Sequence, residues 1–247
     1  MEMTRREALD AFAILGVATL ALGSARPAVA KDEPQVSANT PGITPGKHEV
    51  VPLPFDPAKL KGLSERLVVS HHDNNYAGAV KNLNKVEEEL AETTKNTPGF
   101  LVAGLREREL TFTNSLILHE LYFGSLGGDG KAAGSVQTAL GTAFGTFARF
   151  EELFRAIGMS LAGGSGWAIL DFNFRTADVR VYGSGNHTQS LASGAPLLVM
   201  DMYEHAYHID YGASAASYID AFFANVRWEE VNRRYERALK ASQALRS

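Results

Sequence analysis

Cysteine is absent from all 247 residues of the chain. This absence excludes disulfide bonds, thiolate nucleophiles, iron–sulfur clusters and zinc sites built on thiolates. Any metal that the chain binds must therefore be held by histidine, aspartate or glutamate side chains. The seven histidines thus become the leading candidates for metal ligands.

An excess of charge of one sign is also lacking, since 28 acidic residues face 24 basic ones for a net charge of −4. This balance indicates neither a nucleic-acid-binding protein nor an acidic tail, and a hydrophobic content of 45% is typical of a globular protein with a core. The apolar stretch from Ala11 to Leu22 is shorter than the roughly 20 residues of a membrane-spanning helix. We therefore expect no stable membrane association.

The first 30 residues have the pattern of an export signal. A twin-arginine motif at Thr4–Leu9 precedes the apolar stretch Ala11–Leu22, and Ala28-Val29-Ala30 resembles a cleavage site. We predict a twin-arginine signal over residues 1–30, cleaved during export to the periplasm. Two alternatives stay open: an uncleaved membrane anchor, and a chance Arg-Arg pair before an ordinary secretory signal.

Proline and small polar residues fill positions 31–50 and predict a flexible lead-in, in which His48 has no expected role. Residues 51–131 predict a helical hairpin domain, because apolar residues recur at helical spacing over Lys59–Lys95 and again over Phe100–Leu126. Thr94–Gly99 between them predicts the turn.

Residues 132–247 predict a second domain that mixes helices with short strands. Ser135–Leu161 predicts two helices interrupted at Gly141–Thr146. The remaining elements are expected to form a small antiparallel sheet of about three strands and two final helices, over Trp167–Phe174, Val179–Tyr182, Leu197–Asp201, Ser214–Val226 and Trp228–Leu245. The whole chain is thus predicted to be α+β, with an N-terminal antiparallel helical hairpin followed by an α/β domain.

Four residues are candidates for a metal site, although none is decisive alone. Asp201 and His205 are four residues apart, which brings them to one face of a helix or to a strand–helix junction, and carboxylate with imidazole suits iron, manganese or zinc. Taken alone, the pair is explained more simply by a local Asp–His hydrogen bond. His71 could instead lie on a solvated helix surface, and His119 could be a hydrogen-bonded core histidine.

The segments around these residues, taken in order, resemble the iron/manganese superoxide dismutases. The stretch His71–Asn84 is similar to the segment that carries the family's first ligand, and Leu118–Phe123 to the segment with the second. Gly164–Ala168 matches the family's Gly-Ser-Gly-Trp-Ala strand start, and Asp201–Tyr207 matches Asp-x-Trp-Glu-His-Ala-Tyr except at the tryptophan. The resemblance extends from about residue 52 to about residue 240.

This resemblance implies one iron or manganese ion per subunit, held by His71, His119, Asp201 and His205 with a bound solvent molecule. It implies superoxide as the substrate, converted to dioxygen and hydrogen peroxide, and it leaves the choice of metal open. A peroxidase-like metal enzyme and a non-catalytic metal-binding dimer stay open as alternative functions.

The surroundings of the implied site depart from the family. Ala79 stands where most relatives carry a tyrosine that lines the substrate funnel, and we hypothesise that Tyr76, one helical turn away, takes over part of its role. Tyr203 replaces the tryptophan that walls the pocket. His187 stands in a position whose residue, by the resemblance, hydrogen-bonds the metal-bound solvent and tunes its pKa.

The resemblance also implies a homodimer, with pairing into tetramers left open. Glu204 is expected to reach the partner's ligand His205, and we hypothesise that Asn75 and His208 form a replacement contact between subunits. Trp167, at the start of the first strand, is expected beside the metal site.

Overall fold

The computed structural model describes residues 45–246. The predicted signal over residues 1–30, and positions 31–44 of the predicted lead-in, lie outside the described residues. In the described part, no helix is long and apolar enough to cross a membrane.

The first half is the expected antiparallel pair of long helices. Helix α1 spans Glu65–Ser70, continues through a π-helical segment at His71–Tyr76, and runs on as α2 over Ala77–Ala91. Ser64 begins α1 because its hydroxyl accepts a hydrogen bond from the Leu67 amide. After the turn, α3 covers Gly99–Gly124 and packs along α2.

Two shorter helices follow, α4 over Ser135–Phe144 and α5 over Phe147–Ser160. The interruption is narrower than predicted and is confined to Gly145 and Thr146. Gly145 has a φ of +86°, which favours glycine, and the Thr146 hydroxyl accepts a hydrogen bond from the Arg149 amide at the start of α5. Gly141 stays helical, since a glycine inside a helix costs only about 1 kcal/mol and the buried Leu140 anchors the turn.

A three-stranded antiparallel sheet comes next, with β1 at Trp167–Asn173, β2 at Asp178–Ser184 and β3 at Gly194–Asp201. The strand order is β2-β1-β3, and every residue of the central strand β1 is buried. β3 begins three residues earlier than predicted and includes Pro196, which an edge strand tolerates because one side of it needs no ladder partner. The register places Trp167 directly opposite Asp201.

The chain ends in helices, as predicted. A 3₁₀ turn at Glu204–Ala206 leads into the short α6 at His208–Tyr211, and α7 and α8 span Ala215–Ala224 and Trp228–Arg246. The predicted α+β class with a small antiparallel sheet is confirmed. The described residues belong to one compact unit in which α3 packs on both α2 and β3, and the boundary expected near residue 131 stays a prediction.

Candidate metal centre

Four side chains from four different elements converge between the hairpin and the sheet. The Nε2 atoms of His71, His205 and His119 lie 3.1, 3.3 and 3.6 Å from the same oxygen, Oδ2 of Asp201. One ligand atom from each of the four residues lies within 4.8 Å of the other three. Asp201, His71 and His119 are buried, whereas His205 is partly exposed. This spacing fits a single metal ion bound by three imidazoles and one carboxylate.

The two hairpin histidines reach the cluster from different helical segments, and His119 is oriented by its own helix. His71 begins the π-helical segment, and π-helical turns inside α-helices are frequent at functional sites. His119 Nδ1 donates to the Ser115 carbonyl oxygen at 2.6 Å, one helical turn earlier. This bond leaves the lone pair of Nε2 facing the cluster. Among the described residues, His119 Nε2 has no hydrogen-bond partner although it is buried, which suits a metal ligand.

Asp201 and His205 meet across a strand–turn junction. Asp201 is the last residue of β3, and His205 lies in the following 3₁₀ turn. The Tyr203 amide donates to Oδ1 of Asp201 at 2.8 Å, which leaves Oδ2 for the cluster. Tyr218 on α7 donates its hydroxyl to the Asp201 carbonyl oxygen at 2.7 Å and so fixes the end of the strand.

The environment favours the protonation states that metal binding needs. Burial lowers the pKa of His71, and burial together with the neighbouring His71 lowers the pKa of His119 to about 3. Burial alone would raise the pKa of Asp201, but His205 and His71 outweigh it and hold the pKa well below its ordinary value. The neutral imidazoles of His71 and His119, with the ionised carboxylate of Asp201, are donors that suit iron or manganese.

A layer of aromatic rings covers one side of the cluster. Trp167 lies edge-on to His119 with ring centroids 5.1 Å apart and donates its Nε1–H to Nδ1 of His187 at 3.0 Å. Tyr203 is stacked between His187 and His205, at centroid distances of 4.9 and 5.3 Å. Burial lowers the pKa of His187, so the ring is neutral near pH 7 and its remaining hydrogen is on Nε2.

Known proteins with similar sequences identify the family. Residues 132–234 match the family model described as iron/manganese superoxide dismutases, C-terminal domain. The chain is 46% identical over 194 residues to a superoxide dismutase [Fe] of Cupriavidus metallidurans, covering 78% of this chain and 98% of the relative. The chain belongs to the iron/manganese superoxide dismutase family. It is also 33% identical over 211 residues to a superoxide dismutase [Fe] of Aquifex pyrophilus, covering 81% of this chain and 98% of the relative. The chain is 32% identical over 197 residues to superoxide dismutase [Mn] 1 of Halobacterium salinarum, covering 78% of this chain and 96% of the relative.

Family membership accounts for the four-ligand cluster, and the structure shows how this member surrounds it. Tyr76 is buried, and its ring lies 6.2 Å from that of His119. Its hydroxyl accepts from the Val51 amide at 2.9 Å and donates to Glu120 at 2.8 Å. Burial raises its pKa to about 12. Ala79 is buried too. That Tyr76 replaces the funnel tyrosine of this superoxide dismutase family stays a prediction.

The residues expected at a dimer interface lie on the surface of the chain. Glu204 and His208 are exposed, and Asn75 is half-buried. Their roles across two subunits also stay predictions.

Two further contacts at the metal site of this superoxide dismutase family member were not predicted from its sequence. Ser115 orients His119 through its backbone carbonyl, and any residue type supplies that group. Tyr218 reaches Asp201 across 17 positions of sequence, and its sequence neighbours indicate only a buried helix. Neither contact has a spacing that could have predicted it.

Proposed function

We propose that this protein is a superoxide dismutase that converts superoxide to dioxygen and hydrogen peroxide at one iron or manganese ion. The observation that carries the proposal is the convergence of three histidine Nε2 atoms on one oxygen of the buried Asp201. His71, His119, Asp201 and His205 would hold this ion, which would supply one-electron redox chemistry between two adjacent oxidation states. The reduction to hydrogen peroxide takes up two protons.

The chain's own groups supply orientation, water exclusion and a hydrogen-bond donor. Ser115 and Tyr218 hold His119 and Asp201 in place, as described above. Trp167 and Tyr203 wall one side and keep bulk water from the buried ligands. His187 accepts from Trp167 at Nδ1, and we assign its Nε2–H as a donor toward solvent or substrate at the centre.

Exchange of one buried ligand tests the metal site and the activity together. Asp201→Asn replaces the shared carboxylate with a neutral amide, and we expect loss of tight metal binding and of superoxide turnover. The matched control is Asp129→Asn, because Asp129 is exposed and, among residues 45–246, its carboxylate bonds only the nearby Lys131 amide. Metal content and superoxide turnover are measured on the same samples. A metal-loaded wild type that oxidises donors with peroxide but does not dismutate superoxide would contradict the proposal.

The role of His187 can be separated from its packing. His187→Phe keeps a ring stacked on Tyr203 but removes the donor and the contact to Trp167. We expect lower turnover and a shifted pH profile with metal content unchanged. Tyr76→Phe keeps the ring and removes the hydroxyl, which bonds both Glu120 and the Val51 amide. An unchanged rate and pH profile in either variant would reject the role proposed for that residue.

We further propose that the protein acts as a homodimer. The partly exposed ligand His205 and the exposed Glu204 and His208 lie within four residues of one another, so a partner subunit could cover them together. Sedimentation measures the dimer dissociation constant for Asn75→Ala, His208→Ala and the double variant. A coupling energy near zero would reject a contact between these two residues.

We also propose that residues 1–30 direct the protein to the periplasm by the twin-arginine route, on the basis of Arg5 and Arg6. Replacing both arginines with lysine is expected to leave the precursor in the cytoplasm. Replacing Lys31 with alanine, outside the motif, is expected to leave export unchanged. Fractionation of cells that express each variant measures the distribution. Equal export of the double-lysine variant would favour an ordinary secretory signal.

A further inference from the structure

The first described residues, Pro45–Val51, form a strap that lies on the helix carrying His71. The strap has no helix or strand of its own beyond a turn at its start. Its anchors are side chains of one helix face, spaced one or two turns apart: His72, Tyr76, Asn84 and Glu87. Positions 45–50 were predicted as part of a flexible lead-in, and this attachment was not anticipated.

The far end of the strap is held by two reciprocal hydrogen bonds with Asn84 and by contacts with Glu87. The His48 amide donates to Asn84 Oδ1 at 2.8 Å, and Asn84 Nδ2 donates back to the His48 carbonyl oxygen at 2.9 Å. The His48 ring lies 2.9 Å from Glu87, whose other oxygen accepts from the Gly46 amide at 3.0 Å. These contacts hold the strap at Asn84 and Glu87, which are distant in sequence from the metal ligand His71.

The near end of the strap reaches the neighbours of two metal ligands. The Val51 carbonyl oxygen accepts from His72 Nε2 at 2.9 Å, and the Val51 amide donates to the Tyr76 hydroxyl at 2.9 Å. Tyr76 in turn donates to Glu120, the residue after the ligand His119. The backbone of Val51, acting through the Tyr76 hydroxyl, thereby links the π-helical segment that starts at His71 to the helix that carries His119.

A π-helical segment needs such support more than an ordinary helical turn does. Its hydrogen bonding departs from the regular α-helical ladder, so contacts outside the helix decide which register it keeps. The strap provides two of them, at His72 and Tyr76, while the Val51 side chain is itself 53% exposed. A loosened strap would let the backbone of His71 shift relative to His119.

We propose that the Pro45–Val51 strap positions the metal ligands His71 and His119, so that the segment preceding the catalytic fold sets how firmly the metal is held. Asn84 acts as a positioning residue through the strap and touches no ligand. The inference rests on the metal site and not on superoxide turnover. Loss of contacts that orient metal ligands typically lowers metal affinity by about 10–100-fold.

The test compares two asparagines of one helix in the full chain. Asn84→Ala removes both bonds to His48, and Asn82→Ala is the matched control because Asn82 is exposed. Metal-loaded protein is mixed with excess chelator and the rate of metal release is followed. Hydrogen exchange of peptides covering 45–53 and 71–77 is measured on the same variants without metal, and superoxide turnover is recorded separately.

We expect Asn84→Ala to release metal about tenfold faster than the wild type, with faster exchange in both peptides. Asn82→Ala should match the wild type, and Asn84→Asp, which keeps the bond from the His48 amide, should fall between. His48→Ala with Asn84→Ala frees the strap more completely. Wild-type metal release in that double variant would overturn the proposal, even if the enzyme dismutates superoxide normally.

Discussion

Asp171 is a buried carboxyl far along β1 from the metal centre, and it should make the protein less stable as the pH rises. Its side chain is 1% exposed. It accepts from the Ala195 amide at 3.0 Å and, weakly, from the Tyr182 hydroxyl at 3.5 Å. Among residues 45–246, no lysine or arginine forms an ion pair with it. Burial therefore raises its pKa from 3.8 to about 6, against the opposing effect of the two hydrogen bonds.

The sign of the effect follows from proton binding. Between pH 4 and 6 the folded chain keeps the proton on Asp171, whereas the unfolded chain has already lost it. The free energy of unfolding therefore falls as the pH rises through this window and levels off above about pH 7. At ~1.4 kcal/mol per pH unit, the loss amounts to about 3 kcal/mol between pH 3.5 and pH 7.5.

The variant Asp171→Asn removes the charge and keeps the shape. Its amide oxygen can still accept from Ala195, and its amide nitrogen can donate to the Tyr182 oxygen. We expect the variant to match the wild type near pH 4 and to exceed its unfolding free energy by up to about 3 kcal/mol at pH 7.5. Urea unfolding of metal-free protein across this range measures the difference between the two proteins.

Asp178 offers a control of opposite sign. Although its slight burial favours the neutral acid, contacts with Thr176 and Arg180 prevail and lower its pKa, so Asp178→Asn should lose stability above pH 4 rather than gain it. The reasoning would be refuted if the difference in unfolding free energy between the wild type and Asp171→Asn stayed constant from pH 4 to 7.5. Such a result would mean that Asp171 has the same pKa in the folded and unfolded chains.

Three further outcomes follow from the contacts of the same sheet and site. Gly194→Ala should destabilise the fold by about 1–3 kcal/mol in urea unfolding, since the alanine Cβ would lie 2.5 Å from Oδ1 of Asp171. An unchanged unfolding free energy would mean that the Asp171 carboxyl can move away. Tyr218→Phe should lower the unfolding free energy by about 1 kcal/mol and speed metal release, because the Asp201 carbonyl oxygen loses its hydrogen-bond donor. Unchanged metal release would show that the end of β3 does not need this bond. Removal of the metal by chelation should lower the melting temperature, because an ion that binds the folded chain and not the unfolded one stabilises the folded state. Equal melting of both forms would mean that the site adds nothing to folding.

Much of the architecture follows from local sequence. Nearly every helix and strand is predicted by patterns within one segment, because such a pattern reflects burial along that segment. These patterns are the helical periodicity of the hairpin, the turn before Gly99 and the alternation of elements after residue 135. The exceptions are local: α1 begins at Glu65 rather than near Lys59, Gly141 remains helical, β3 starts early at Gly194, and the short α6 was not predicted. There, packing against neighbouring elements outweighs the local preference of one residue.

The metal site divides in the same way. The sequence by itself determined which residues could serve as ligands, because without cysteine only histidine and carboxylate side chains are available and their surrounding motifs resemble one family. It could not choose between a helix face and a junction for Asp201 and His205. Only the tertiary structure brought Nε2 atoms from three elements onto one carboxylate oxygen. It also laid Val51 against His72 and Tyr76. Apart from the Asp201–His205 pair, these contacts join residues 21 to 130 positions apart, and a pattern within one segment has no information about which distant surface it will meet.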